Sequence, residues 1–101
     1  MHSLNKLRVG YIRDLLSKTN PNSPAGLPLF GKTILDVGCG GGILAEGLAQ
    51  LGAEVTAVDA SEDLISVAEE RRKRKRIENL TYLDVLVEDL QEIDTRFDLV
   101  M

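Results

Sequence analysis

Apolar residues recur along this chain at two spacings, and the change from one to the other marks its elements. Leu4, Leu7, Tyr11, Ile12 and Leu15 fall three and four positions apart, which predicts an amphipathic helix over Ser3 to Lys18 with these residues on its buried stripe. Thr19 to Pro28 holds all three prolines among turn-forming residues and is expected to be a linker. Thr33-Ile34-Leu35-Asp36-Val37 is a short apolar run closed by glycines, as in a buried strand. Ile43 to Leu51 returns to helical spacing through Leu44, Leu48 and Leu51, with Gly52 where a helix should end.

Glu54 to Val58 is a second strand that ends at Asp59. Ser61 then stands where a helix N-cap belongs, with Glu62 and Asp63 in the first turn, where anions favour the helix dipole. That helix is expected to run through Leu64, Ile65, Val67 and Ala68 into a basic end. A third strand is expected at Leu80 to Leu86, and Phe97 to Met101 opens a fourth. Strand and helix alternate, so the pattern predicts βαβ units and a parallel α/β sheet with right-handed crossovers. Two parts are expected: a helix and Pro-rich linker over 1–30, and an incomplete nucleotide-binding unit over 31–101. The first strand should be central. A chain that stops within the fourth strand is expected to leave Ile34, Leu35 and Val37 short of cover.

Composition changes this picture little. The 101 residues are 44% apolar and 28% charged with a net charge of −4, which disfavours general binding to polyanions. Arg71-Arg72-Lys73-Arg74-Lys75-Arg76 is the exception. Such a run can bind nucleic acid or anionic lipid, but a solvated helix end is the simpler reading, with Glu69 and Glu70 four residues before Lys73 and Arg74. Cys39 is the single cysteine, so no disulfide closes within the chain, and no histidine accompanies it as a base.

The chemistry concentrates in Asp36-Val37-Gly38-Cys39-Gly40-Gly41-Gly42, between the first strand and the next helix. Glycines there let backbone approach a ligand, and helix-start N–H groups can face a polar group. A dinucleotide fingerprint would want a glycine at position 43, which is Ile43. Asp36 would repel a pyrophosphate but suits a ligand with sulfonium and ammonium charges. S-adenosylmethionine fits this turn, and NAD fits it poorly. Asp59 is placed to accept hydrogen bonds from ribose hydroxyls, although a turn acid or a local cap would also explain an aspartate at 59 or at 36. Arg8 falls on the apolar stripe of the first helix. It either snorkels to water or grips a carboxylate with its planar fork.

The stretch Asp36 to Glu46 resembles motif I of the ubiquinone-biosynthesis O-methyltransferases, which act on polyprenyl-dihydroxybenzoate and 3-demethylubiquinol. Gly52 to Asp59 is similar to their second strand, and Leu4 to Ile12 to their N-terminal helix. The resemblance implies a Rossmann-like class I fold and S-adenosylmethionine bound by Arg8, Asp36, Gly38, Gly40 and Asp59. Val87, after the third strand, is a further candidate at the adenine edge. It also implies methyl transfer to the phenolic hydroxyl of a polyprenylated ring, with Mg2+ held beyond Met101 together with the catalytic residues. Association with other proteins of that pathway, and residence on the matrix side of the mitochondrial inner membrane or in a bacterial cytoplasm, are implied in the same way. Nucleic acid is not expected as a partner. The rival expectations are a class I methyltransferase with another substrate, such as RNA, and an inactive cofactor-binding fragment.

Overall fold

The computed structural model describes residues 2–18, 20–40, 42–84 and 97–101, with side chains from position 9 onward except at position 17. Its elements are α1 (His2–Ser17), β1 (Thr33–Val37), α2 (Ile43–Gln50), β2 (Glu54–Asp59), α3 (Glu62–Lys75), β3 (Leu80–Asp84) and β4 (Leu99–Val100). The strands form one parallel sheet in the order β3-β2-β1-β4. Order reverses between β1 and β4, so the crevice where open α/β sheets take their ligands opens at the carboxyl end of β1.

Along β1 the pleat divides the side chains. Ile34 joins the main core with Leu44, Leu48, Val55, Ala57, Ala68 and Leu80, whereas Leu35 and Val58 are buried outside that cluster. Crossovers of one hand set α2 and α3 side by side on one face of the sheet. The expected shortage of cover on β1 does not arise for Ile34 and Leu35, both of which are buried. β2 flanks β1 on one side and β4 on the other, with Ile34 in register with Leu99. It is β4 that carries the exposure: Val100 is 56% exposed.

Among its described side chains, α1 buries only part of the stripe its spacing predicts. Ile12 and Leu16, four apart, enter the core with Val9 packed behind them, while Tyr11 and Leu15 are exposed. A helix can bury only a limited arc, and α2 meets α1 through Gly47, where a Cβ would come within 3.0 Å of Val9 Cγ2. That contact sets Val9, Ile12 and Leu16 on the buried arc and leaves Tyr11 and Leu15 off it, while the side chains at positions 4 and 7 lie outside the described residues. α3 differs in the same way: Ala68 is its buried residue, and Val67 is 61% exposed.

The expected boundaries of α2, β2 and α3 hold closely, whereas β4 is confined to Leu99–Val100 and β3 is described to Asp84, positions 85 and 86 of the expected strand lying outside the described residues. Ser61 caps α3, its hydroxyl accepting from Leu64 N–H at 3.3 Å. α2 ends at Leu51 as capping residue, with Gly52 directly after it. In the linker, Leu29 is fully buried and Asn20 donates to the carbonyls of Pro28 and Phe30. The linker is thus a packed set of turns and not a loose tether.

Candidate cofactor site

The turn after β1 is stitched to the end of β2. Gly38 N–H and Cys39 N–H both donate to the Val58 carbonyl, at 2.8 and 3.0 Å. Gly40 N–H donates to Asp59 Oδ2 at 2.9 Å, and Ser61 N–H to Asp59 Oδ1 at 2.8 Å. The two N–H bonds, that from Ser61 first and that from Gly40 second, hold the Asp59 carboxyl below its ordinary range, so it is ionised at neutral pH. Each carboxylate oxygen can accept twice, so Asp59 keeps acceptor capacity beyond these two bonds.

Gly38 and Gly40 take φ of +72° and +58°, and a Cβ built on either would meet no protein atom within 4 Å. Their backbone therefore faces open space, as a turn that receives a ligand must. Asp36 is only 5% exposed at the end of β1. The structure thus brings Asp36, Gly38, Gly40 and Asp59 together at the carboxyl ends of β1 and β2. Arg8 lies in α1, but its side chain is outside the described residues, as is Val87 altogether.

Within the turn, the N–H groups of Gly38, Cys39 and Gly40 are spent on Val58 and Asp59, and that of Gly42 on the Cys39 carbonyl. The cause is the close approach of the end of β2, where the Val58 carbonyl takes two of these donors and the Asp59 carboxylate a third.

Behind the turn lies a cluster that the sequence did not announce. Glu46, in the first turn of α2, is 6% exposed and accepts from Arg71 Nε at 2.7 Å and from Lys75 Nζ at 2.5 Å. Burial alone would raise its carboxyl, but the hydrogen bonds from Arg71 and Lys75, followed by their charges, outweigh that and hold it low. Arg72 pairs with Glu69 and also donates to the Ile77 carbonyl. The basic run is therefore not simply a solvated helix end, since Arg71, Arg72 and Lys75 serve the fold. A lone acid in the otherwise apolar Ile43-Leu44-Ala45-Glu46-Gly47-Leu48 was the available signal. Tyr82 on β3 completes the cluster, donating its hydroxyl to the Gly42 carbonyl at 3.2 Å.

Cys39 is half-buried in the turn. Burial, then the charges of Asp36 and Asp59, push its thiol up to about 12, so it is neither a nucleophile nor a thiolate ligand at neutral pH. Among the described residues, no group of three or more His, Cys, Asp or Glu could hold a metal ion.

The profile of the family described as "Methyltransferase domain" matches residues 34–101, which takes in the turn and all of the sheet but Thr33. The chain belongs to the methyltransferase domain family. Its fold is the Rossmann-like fold of the class I enzymes of that family. It is 46% identical over 98 residues to the human "Ubiquinone biosynthesis O-methyltransferase, mitochondrial", covering 91% of this chain and 27% of that protein. It is 38% identical over 102 residues to the "Ubiquinone biosynthesis O-methyltransferase" of Rhizobium etli, covering 100% of this chain and 41% of that one. Among solved structures it superposes on coclaurine N-methyltransferase bound to N-methylheliamine and SAH (TM-score 0.55, 26% identity), over 77% of this chain and 22% of that one. The chain thus spans between about a quarter and two fifths of the length of these curated relatives.

Proposed function

We propose that this chain holds S-adenosylmethionine in the turn between β1 and α2 of an O-methyltransferase of ubiquinone biosynthesis. The observation that carries the reading is the state of the turn: its N–H donors at 38, 39 and 40 are spent internally, while the ionised Asp59 remains an acceptor. A pyrophosphate needs donors and is repelled by two aspartates. A ligand that brings hydroxyl donors and positive charge needs the reverse, and S-adenosylmethionine is such a ligand.

In this reading Asp59 accepts from the ribose hydroxyls. The open backbone at Gly38 and Gly40 admits the methionine portion, and Asp36 favours its positive charge. Arg8 grips the carboxylate of that portion, and Val87 lines the adenine. S-adenosylmethionine supplies a methyl group on a sulfonium, and this half of the site binds and orients it. Holding the donor in one position is itself a large part of the rate enhancement in such a displacement.

The acceptor is a phenolic hydroxyl on a polyprenylated ring, as the names of the human and Rhizobium relatives suggest. Those names also support residence in mitochondria or in bacteria, with the matrix face of the inner membrane and the other proteins of the pathway as the finer proposal. No residue of this chain is assigned to Mg2+ or to phenol deprotonation. An RNA substrate is disfavoured, because half of the basic run is engaged within the protein.

The test is methyl transfer from labelled S-adenosylmethionine by the protein at its natural length. A polyprenylated catechol should be methylated, and unmodified RNA should not. Transfer to RNA alone would overturn the substrate assignment.

A further inference from the structure

We infer that Tyr82 is a positioning residue for the cofactor turn, holding its exit from behind through the Gly42 carbonyl. This inference rests on the reading of that turn as the S-adenosylmethionine site. Tyr82 sits on β3, two strands away from β1, and lies 40 positions along the chain from its hydrogen-bond partner. Its side chain is buried, at 7% exposure, and forms part of the main core. A tyrosine in such a place must find a partner for its hydroxyl, and it finds one in the last glycine of the turn.

The fit between them is close on both sides. Gly42 has φ of +82°, and a Cβ on it would fall 2.2 Å from the Tyr82 hydroxyl oxygen and 2.8 Å from Cζ. The ring therefore occupies the space that a side chain at position 42 would need, and forms a floor under the turn. The same carbonyl oxygen accepts a second bond, from Glu46 N–H at 2.9 Å, one of the first backbone bonds of α2. Turn and helix start are thus fixed at one atom. Glu46 is in turn paired with Arg71 and Lys75, which ties the start of α2 to α3.

The turn is consequently held from two directions. Asp59 ties Gly40 to β2, and Tyr82 ties Gly42 to β3. Without the Tyr82 hydroxyl the Gly42 carbonyl still has Glu46, so the fold survives, but the exit peptide can rock. A turn that spends only part of its time in the binding geometry shows an affinity reduced by that fraction.

The experiment uses the protein at its natural length, with S-adenosylhomocysteine as the probe in calorimetric titration at a temperature where every variant is folded. Tyr82→Phe keeps the ring and removes the donor, and should weaken binding about three- to tenfold. It should also speed hydrogen exchange at Gly40 N–H. Leu80→Val, a core change on the same strand, serves as the comparison and should lower the melting temperature with binding unchanged. A second measurement needs no variant: the Cζ carbon resonance of labelled Tyr82 in the wild type should shift on titration, although the ring lies behind the turn. Wild-type affinity in Tyr82→Phe, equal weakening in Leu80→Val, or an unmoved Cζ resonance would overturn the inference while leaving the cofactor assignment standing. A wild type that binds no S-adenosylhomocysteine would overturn both.

Discussion

Gly40 N–H and the Asp59 carboxylate meet at 2.9 Å, and through that bond the turn after β1 is fixed to the end of β2. The same carboxylate anchors Ser61 N–H, so one side chain sets the turn, closes β2 and starts α3. Removing it should cost cofactor affinity twice over, through the lost ribose acceptor and through a freed turn. In the protein at its natural length, Asp59→Ala should weaken S-adenosylhomocysteine binding by about 1–3 kcal/mol, the range for hydrogen bonds to charged groups. Asp59→Asn retains one acceptor oxygen and should fall between the two. Equal affinity in all three proteins would show that Asp59 is only a local cap.

The Glu46 cluster predicts a pH dependence with a definite sign. Its carboxyl lies below the ordinary 4.5 in the folded protein, so ionised Glu46 favours folding. That contribution is fully present above 4.5 and is lost as pH falls through the lower, folded value. Arg71 and Lys75 are 37% and 40% exposed and can rehydrate when the acid is removed. Glu46→Gln should therefore cost about 1–3 kcal/mol, less than breaking a fully buried pair. Denaturant unfolding of both proteins across pH 3 to 8 should show a constant gap above about pH 5.5 that narrows in acid. A gap that widens below the ordinary carboxyl value would contradict this account.

Gly42 and Tyr82 should be energetically coupled. Gly42→Ala suffers both the left-handed backbone and the ring beneath it, whereas in a Tyr82→Leu background only the backbone strain remains. The double-mutant cycle, read by thermal or denaturant unfolding, should give a coupling of about 0.5–3 kcal/mol in favour of the double variant. Additive losses would mean that the ring yields easily.

Cys39 should be slow to react despite its place in a solvent-facing turn. With the thiol at about 12 against an ordinary 9.0, the thiolate is about a thousandfold scarcer at pH 8. Alkylation by iodoacetamide should be slowed, though by less than this factor because a more basic thiolate is the better nucleophile, and should accelerate in Asp36→Asn, which removes one of the two opposing charges. Rapid labelling at pH 8 would show that the turn opens far more often than its hydrogen bonds suggest.

Legibility in the sequence followed the physics of each feature. Thr33 to Val37 and the Ser61 cap were readable because an apolar run between glycines, and a serine ahead of two acids, depend on neighbours in sequence alone. The glycine turn and Asp59 were readable for the same reason. The buried arc of α1 was not, because the choice between Tyr11 and Ile12 is made by α2, a partner that local spacing does not describe. Glu46 with Arg71 and Lys75, and Tyr82 with Gly42, join positions 25 to 40 residues apart. Nothing local distinguishes Arg71 from Arg74, and only the packing of α3 against α2 sorts the structural cations from the exposed ones.

The central claim is that this turn is built for an S-adenosyl ligand and not for a dinucleotide. Calorimetric titration of the natural-length protein with S-adenosylhomocysteine and, separately, with NAD measures that choice directly. The account predicts saturable binding of S-adenosylhomocysteine with one site per chain, and no heat from NAD at the same concentrations. Saturable NAD binding with no response to S-adenosylhomocysteine would contradict it.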